Sequence, residues 1–271
     1  MSGIGAFESG VQAAAVALAV QPWRTVGLSV LAVWLLGAAA GCGWRRSAPG
    51  VQLARAVALT VAAGGAALVG LLWWAWPQAN GLVGRFDEAL VQALASGVSP
   101  QRLQVWGWLT HAGDALWITA LAVIVAGLLA WQRSRVELQV WLGGLIGNAL
   151  VTRGLKALVE RQRPQHHHGL AVLESFSSFP SGHASASVVA WGLLAWLLMR
   201  RLPRHWHAPL ALAAAAIVVS VGWSRVLLQV HYASDVLAGW LTGGSCLAAC
   251  LLAANLLAAR HPSDASGRRR P

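Results

Sequence analysis

Three short blocks hold the residues whose types and spacing could do chemistry: Lys156 with Arg163-Pro164, then Pro180-Ser181-Gly182-His183, then Ser224-Arg225 with His231 and Asp235. Lys156 and Arg163 stand two turns apart on a continued helix, so they share a face roughly 10 Å apart along the axis and could flank one anion. Glu160, one turn from Lys156, is set to pair with it, and Pro164 ends the helix. Basic residues that snorkel to headgroups at a helix end look the same. Ser181-Gly182-His183 before an apolar run has the form of a helix start, in which Ser caps, Gly permits close approach and unpaired N–H groups attract an anion. An ordinary cap followed by an interfacial His is the competing reading. His231 and Asp235 are one turn apart, so the carboxylate can hold one ring nitrogen and leave the other basic. A structural His–Asp pair fits equally.

These residues must be positioned by helices in lipid. Of the 271 residues, 57% are hydrophobic and 11% charged, with a mean hydropathy of +0.58, which excludes an ordinary soluble globule. A bilayer core needs about 20 largely apolar residues per helix. Seven such runs are found, at Thr25–Cys42, Leu53–Trp76, Ala115–Trp131, Leu138–Thr152, Ala184–Met199, Ala208–Trp223 and Val236–Ala258. The spacing predicts an all-α, polytopic transmembrane helix bundle. Residues 1–52 form an N-terminal segment with an extra helix, 53–259 a six-helix core, and 260–271 a disordered basic tail.

Seven spans force the connecting loops to alternate sides, and cytoplasmic loops hold the excess of Lys and Arg. Twelve of the 20 basic residues fall on one side: Arg45, Arg46, Arg55, Arg133, Arg135, Arg200, Arg201, Arg204, Arg260, Arg268, Arg269 and Arg270. That side is the cytoplasm and carries the C-terminus; the N-terminus is outside. All three chemical blocks fall at outer helix ends. Many of the 16 Trp residues, among them Trp106, Trp108, Trp131, Trp206 and Trp223, stand near predicted span ends as interfacial anchors, whereas Trp191 and Trp240 are packing residues.

Residues 77–110 place Phe86, Ala89, Leu90, Ala93 and Leu94 at helical spacing with Arg85, Asp87 and Glu88 opposite, the pattern of an amphipathic helix on the outer surface. Val11–Val20 is apolar enough to lie along a membrane, and Met1–Val20 lacks the basic start of a cleavable signal. The formal charge of +11 is dispersed over short loops, which suits anionic headgroups and not nucleic acid. Cys42, Cys246 and Cys250 read as small packing residues. His166-His167-His168 has no acidic company and is not read as a metal site. Asn148 is an interhelical hydrogen bonder, and His111 with Asp114 forms a helix cap near the outer end of a span, where a supporting role at the site stays open.

Taken together, K-x6-R-P, P-S-G-H and S-R-x5-H-x3-D fix eleven residues, and in this order the chain resembles the type 2 phosphatidic acid phosphatase superfamily over about residues 53–258. The resemblance implies a membrane lipid phosphatase in which His231 is the attacking histidine, Asp235 its orienting carboxylate and His183 the acid for the leaving oxygen. Lys156, Arg163, Arg225, Ser181 and Gly182 then resemble the phosphate cradle, with Ser224 beside them. Such a set needs no metal or other cofactor, because three basic side chains supply the positive charge. His183 must change protonation state within one cycle, which implies a bell-shaped pH dependence.

Vanadium haloperoxidases share these motifs, so a vanadate-dependent oxidase is one alternative; a lipid-phosphate binder or transporter without catalysis is another. Vanadate is expected to inhibit. The expected partners are a lipid phosphate and the bilayer, with no nucleic acid and no obligate protein partner. Phosphatidic acid, phosphatidylglycerophosphate, undecaprenyl diphosphate and lipid A phosphates all suit a site at headgroup depth. By analogy an isoprenyl diphosphate is favoured, in a bacterial cytoplasmic membrane with the site facing the periplasm.

Overall fold

The apolar runs become helices because a chain in hydrocarbon must satisfy its backbone N–H and C=O groups internally. The computed structural model describes residues 81–97, 100–165 and 177–260, together with residues 9, 10, 13 and 63–65. Among them there is no strand. The order is α1 (Leu82–Gly97), α2 (Pro100–Thr110), a 3-10 turn (His111–Gly113), α3 (Ala115–Trp131), α4 (Arg135–Val159), α5 (Gly182–Met199), a second 3-10 turn (Arg204–Trp206), α6 (His207–Leu227) and α7 (Ala233–Arg260). The first predicted span, all but residues 63–65 of the second, Cys42, His166–His168 and the tail beyond Arg260 lie outside the described residues.

Local chemistry sets the helix ends. Asp114 caps α3 by accepting from Leu116 N at 2.8 Å, and Ser181 caps α5 by accepting from Ala184 N at 3.4 Å. Glu160 closes α4 in the left-handed conformation, at φ 45°, the position that most often falls to glycine. Here the sequence expectation is corrected: α4 stops at Val159, so Lys156 and Arg163 do not share a helix face, and Arg163 lies in the segment that follows.

Residues Gly182–Met199, Arg204–Leu227 and Ala233–Asn255 are each long and apolar enough to cross a membrane, and α2 with α3, bent by 40° at their junction, make a fourth if they count as one span. α4 is more polar but, at 25 residues, reaches roughly 38 Å. Two of its polar residues, Asn148 and Thr152, turn inward. Asn148 accepts from Ser185 Oγ at 2.5 Å, as an interhelical hydrogen bonder should, and Thr152 Oγ1 lies 3.4 Å from the same hydroxyl. Leu142, Ile146 and Leu150, spaced by four, form the exposed stripe of the same helix.

α5 packs against α3, α4, α6 and α7. It approaches α7 closely because glycines face it: a Cβ at Gly239 or Gly243 would stand 2.6 Å from Ser181 O or 2.5 Å from Ser185 O. Two apolar clusters fill the bundle. One gathers Leu90, Leu94, Trp106, Leu227 and Val230, and the other Leu129, Trp141, Val189, Leu193 and Leu197, with Cys246 and Cys250 packed against it. Trp106 is fully buried in the first cluster and is not an interfacial anchor, whereas Trp108 and Trp131 are exposed. Trp191 donates to Ala112 O at 2.9 Å.

α1 departs from expectation at one residue. Leu90 and Leu94 are buried as an amphipathic face requires, but Asp87, placed by its spacing on the solvent side, is buried as well. The reason is tertiary: partners from two distant segments reach it, as described below.

Candidate active site

The C-terminal ends of α4 and α6 and the N-terminal ends of α5 and α7 meet at one end of the bundle, and hydrogen bonds knit the three sequence blocks together there. Lys156 Nζ, in the last turn of α4, donates to Ser177 O at 2.6 Å, and Arg163 Nη1 donates to Val230 O at 2.9 Å. Ser181 N donates to Asp235 O at 2.9 Å, joining the start of α5 to α7. Val230 N and His231 N both donate to Arg225 O, at 3.1 and 3.3 Å, so the turn after α6 folds back over its own last residues. Gln229 holds the left-handed conformation in this turn, φ 56°, a strained state for a residue with a Cβ. It is fixed by Nε2, which donates to Val91 O at 2.6 Å on α1.

His231 therefore precedes α7 rather than lying on it, and its relation to Asp235 is less direct than helical spacing implies. Nδ1 of His231 is 3.7 Å from Asp235 Oδ2, beyond a direct hydrogen bond. Ser178 stands between them. Its hydroxyl donates to Asp235 Oδ2 at 2.5 Å and lies 3.3 Å from His231 Nδ1. Tyr232 N donates to the same Oδ2 at 3.0 Å. With Nδ1 turned to this pair, Nε2 is the ring nitrogen on the far side, where a phosphorus could be met.

Burial dominates the titration of His231 and lowers its pKa to about 4, against the opposing pull of Asp235; Arg225 and Arg163 lower it further. The imidazole is neutral at pH 7, the state a nucleophile requires. Arg225 is itself buried, on the last turn of α6, with Nη1 donating to Thr110 Oγ1 at 3.1 Å.

His183 is the second residue of α5, and its Nε2 lies 3.9 Å from Asp114 Oδ2. The supporting position left open for Asp114 by the sequence is thus beside the candidate acid. Space at Gly182 is open among the described residues: a Cβ there would find Thr152 Cγ2, at 4.0 Å. The Ser224 hydroxyl donates to Val221 O at 2.6 Å, one turn back on its own helix.

Arg161, Asp87, Ser234 and Ser178 were not singled out by sequence. Arg161 Nη1 donates to Asp235 Oδ1 and to Ser234 Oγ, both at 2.7 Å, and Nη2 to Asp87 Oδ2 at 2.9 Å. Burial opposes the charge on Arg161, but Asp235 and Asp87 outweigh it and raise its pKa. Burial likewise raises that of Asp87, while Arg161 and Ser234 pull it back. Arg161 stands in the run Glu160-Arg161-Gln162-Arg163-Pro164, where the motif spacing from Lys156 selects Arg163 and gives Arg161 no mark of its own. Among the described residues no group of three His, Cys, Asp or Glu is placed to hold a metal ion.

A fold of lipid-facing helices that brings two histidines, a carboxylate and three basic side chains to one end defines a class, the membrane phosphohydrolases. Comparison with known proteins gives the family. Residues 114–257 match the model of the PAP2 superfamily. The chain is 32% identical over 166 residues to phosphatidylglycerophosphatase B of Bacillus subtilis, covering 58% of this chain and 77% of that one. It is also 32% identical over 169 residues to a decaprenylphosphoryl-5-phosphoribose phosphatase of Mycobacterium tuberculosis, covering 59% and 86%. The crystal structure of a transmembrane PAP2-type phosphatidylglycerolphosphate phosphatase from Bacillus subtilis superimposes with a TM-score of 0.63 at 26% identity, covering 78% of this chain and 100% of that one. The chain belongs to the PAP2 superfamily. It is a phosphate-ester hydrolase built on an all-α transmembrane bundle, as the motifs imply.

Proposed function

We propose that this protein hydrolyses a lipid phosphate monoester or diphosphate through a phosphohistidine on His231. The observation that carries the reading is a buried, neutral imidazole held beside Ser178 and Asp235, with Arg163 and Arg225 close enough to depress its pKa. His231 Nε2 attacks phosphorus as the bond to the leaving oxygen breaks, and His183 gives that oxygen its proton. Water then attacks the phosphorus of the P–N bond, His183 takes the water's proton, and inorganic phosphate leaves with His231 neutral again. Lys156, Arg163, Arg225 and the Gly182 N–H at the start of α5 face the charge that develops on the equatorial oxygens. The step as written uses no metal.

The site faces the outside of a bacterial cytoplasmic membrane in this reading. Supporting it, Arg133, Arg135, Arg200, Arg201 and Arg204 connect helices at the opposite end, α3 to α4 and α5 to α6, as cytoplasmic loops should. The N-terminus outside, the added first span and the basic cytoplasmic tail belong to the same topology. The relatives named above act, by their names, on phosphates carried by a glycerolipid and by a polyprenyl lipid, so a lipid phosphate is the substrate class.

Phosphate release from phosphatidic acid, phosphatidylglycerophosphate, undecaprenyl diphosphate and lipid A phosphates, in detergent with a chelator present, tests the proposal. Release from at least one lipid that vanishes in His231→Ala is expected. Release by that variant at the wild-type rate sinks the nucleophile, and halide oxidation restored by vanadate sinks the reaction class.

A further inference from the structure

Asp87 lies on α1, outside the segment matched by the family model and outside all three motifs. Its side chain is nonetheless fully buried and carries three donors: Ser234 N at 3.1 Å, the Ser234 hydroxyl, and Arg161 Nη2 at 2.9 Å. The other arm of Arg161 reaches Asp235 Oδ1 at 2.7 Å, and the guanidinium lies 4.2 Å over the Tyr232 ring. Two carboxylates therefore hold one guanidinium by separate arms.

That division decides what Asp235 can do. Its Oδ1 belongs to Arg161, while Oδ2 receives Ser178 and Tyr232 N and faces His231. A guanidinium fork matches a single carboxylate with two parallel hydrogen bonds. Released by Asp87, Arg161 can turn that fork onto Asp235 and draw Oδ2 away from His231. We propose that Asp87, acting through Arg161, is a positioning residue for the nucleophile: it keeps the guanidinium on Oδ1 and reserves Oδ2 for Ser178 and His231. The Gln229–Val91 hydrogen bond ties α1 to the same turn, so α1 grips the His231 segment at two points.

This inference rests on His231 as the nucleophile, and the experiment separates the two. Rapid quench with a lipid phosphate carrying radiolabelled phosphate follows acid-labile label on the protein. Asp87→Asn should form labelled protein about 10- to 100-fold more slowly with KM within about 2-fold of wild type, since only an interaction made in the transition state is weakened. In an Arg161→Gln background, which removes the arm through which Asp87 acts, Asp87→Asn should add less than about 2-fold. That double variant also removes one buried charge of each sign.

Label forming in Asp87→Asn at the wild-type rate overturns the proposal, as does equal slowing in both backgrounds. No label in the wild-type protein overturns the nucleophile reading instead, and the same cycle measured in kcat still decides whether Asp87 works through Arg161. If Asp87→Asn does not fold, Ser234→Ala removes one donor from Asp87 and one acceptor from Arg161 and leaves both ion pairs; it should slow labelling about 3-fold, and no slowing overturns the proposal.

Discussion

The two ends of the bundle both carry ion pairs, yet they are built differently. At the site end Arg161 joins Asp87 and Asp235, whose side chains are 0% exposed, next to a His231 that is equally enclosed. At the opposite end Glu137 of α4, 15% exposed, meets Arg200 Nε at 3.0 Å and also Arg201, whose side chains are 51% and 24% exposed, so neither carboxylate nor guanidinium there is fully enclosed. Exposed pairs gain little, about 0–1 kcal/mol, whereas removing one partner of a buried pair strands the other at about 3–5 kcal/mol. A fold that only needed anchoring would use the second kind. The buried charges at the site end are retained where they fix one carboxylate oxygen against one imidazole, which is a demand of chemistry rather than of stability.

The largest effect is expected at the proposed nucleophile. His231→Ala should lower lipid phosphate hydrolysis by about 10⁴-fold or more, because no other side chain replaces the attacking atom; phosphate release against the refolded or wild-type protein in the same detergent measures it. Asp235→Asn keeps the shape but loses the charge, and should lower kcat by about 10²- to 10³-fold with a smaller change in KM. Ser178→Ala tests whether the bridging hydroxyl matters, and about a tenfold fall in kcat is expected from the loss of one hydrogen bond to a charged group.

A pH series sharpens the contrast without mutation. His231 is buried with its pKa lowered to about 4, below the ordinary value of about 6.5 for the unfolded chain. Between those values the unfolded state binds the extra proton, so the contribution of this residue to stability is complete above about pH 6.5 and is lost as pH falls toward 4. Thermal unfolding in detergent should show the midpoint dropping over that window, and His231→Gln should flatten the drop. An acid limb of kcat/KM near pH 4 is expected from the same group. The smallest effect belongs to the far end: Glu137→Gln should change stability by no more than about 1 kcal/mol and leave kcat unchanged. A large loss of activity there would erase the distinction between the two ends.

Most of the bundle was legible because hydrophobic length and period are local properties. α3 runs over Ala115–Trp131 as its apolar stretch indicates, and α5, α6 and α7 exceed theirs by one to four residues at an end. That the three motifs meet at one end of the bundle was legible for a different reason: each motif is short, and the fold need only bring helix ends together. Three readings failed where neighbours in space outrank neighbours in sequence. Lys156 and Arg163 left a common helix because Glu160 ends α4 early. Trp106 went into the core, and Asp87 turned inward to Arg161, 74 residues away in the chain.

Sequence by itself determined that this chain lives in a membrane and is helical, and its motifs identified a phosphate-ester hydrolase of the PAP2 superfamily, since composition, periodicity and motif spacing do not depend on packing. Only the tertiary structure decided how the histidine is held. The turn at Gln229, the approach of α1 and the bond from Ser178 N to Arg161 O at 2.7 Å place Ser178 between Asp235 and His231 and set Arg161 across two carboxylates. Those contacts join segments dozens of residues apart, and a hydrogen bond over such a separation leaves no periodic mark in the chain that makes it.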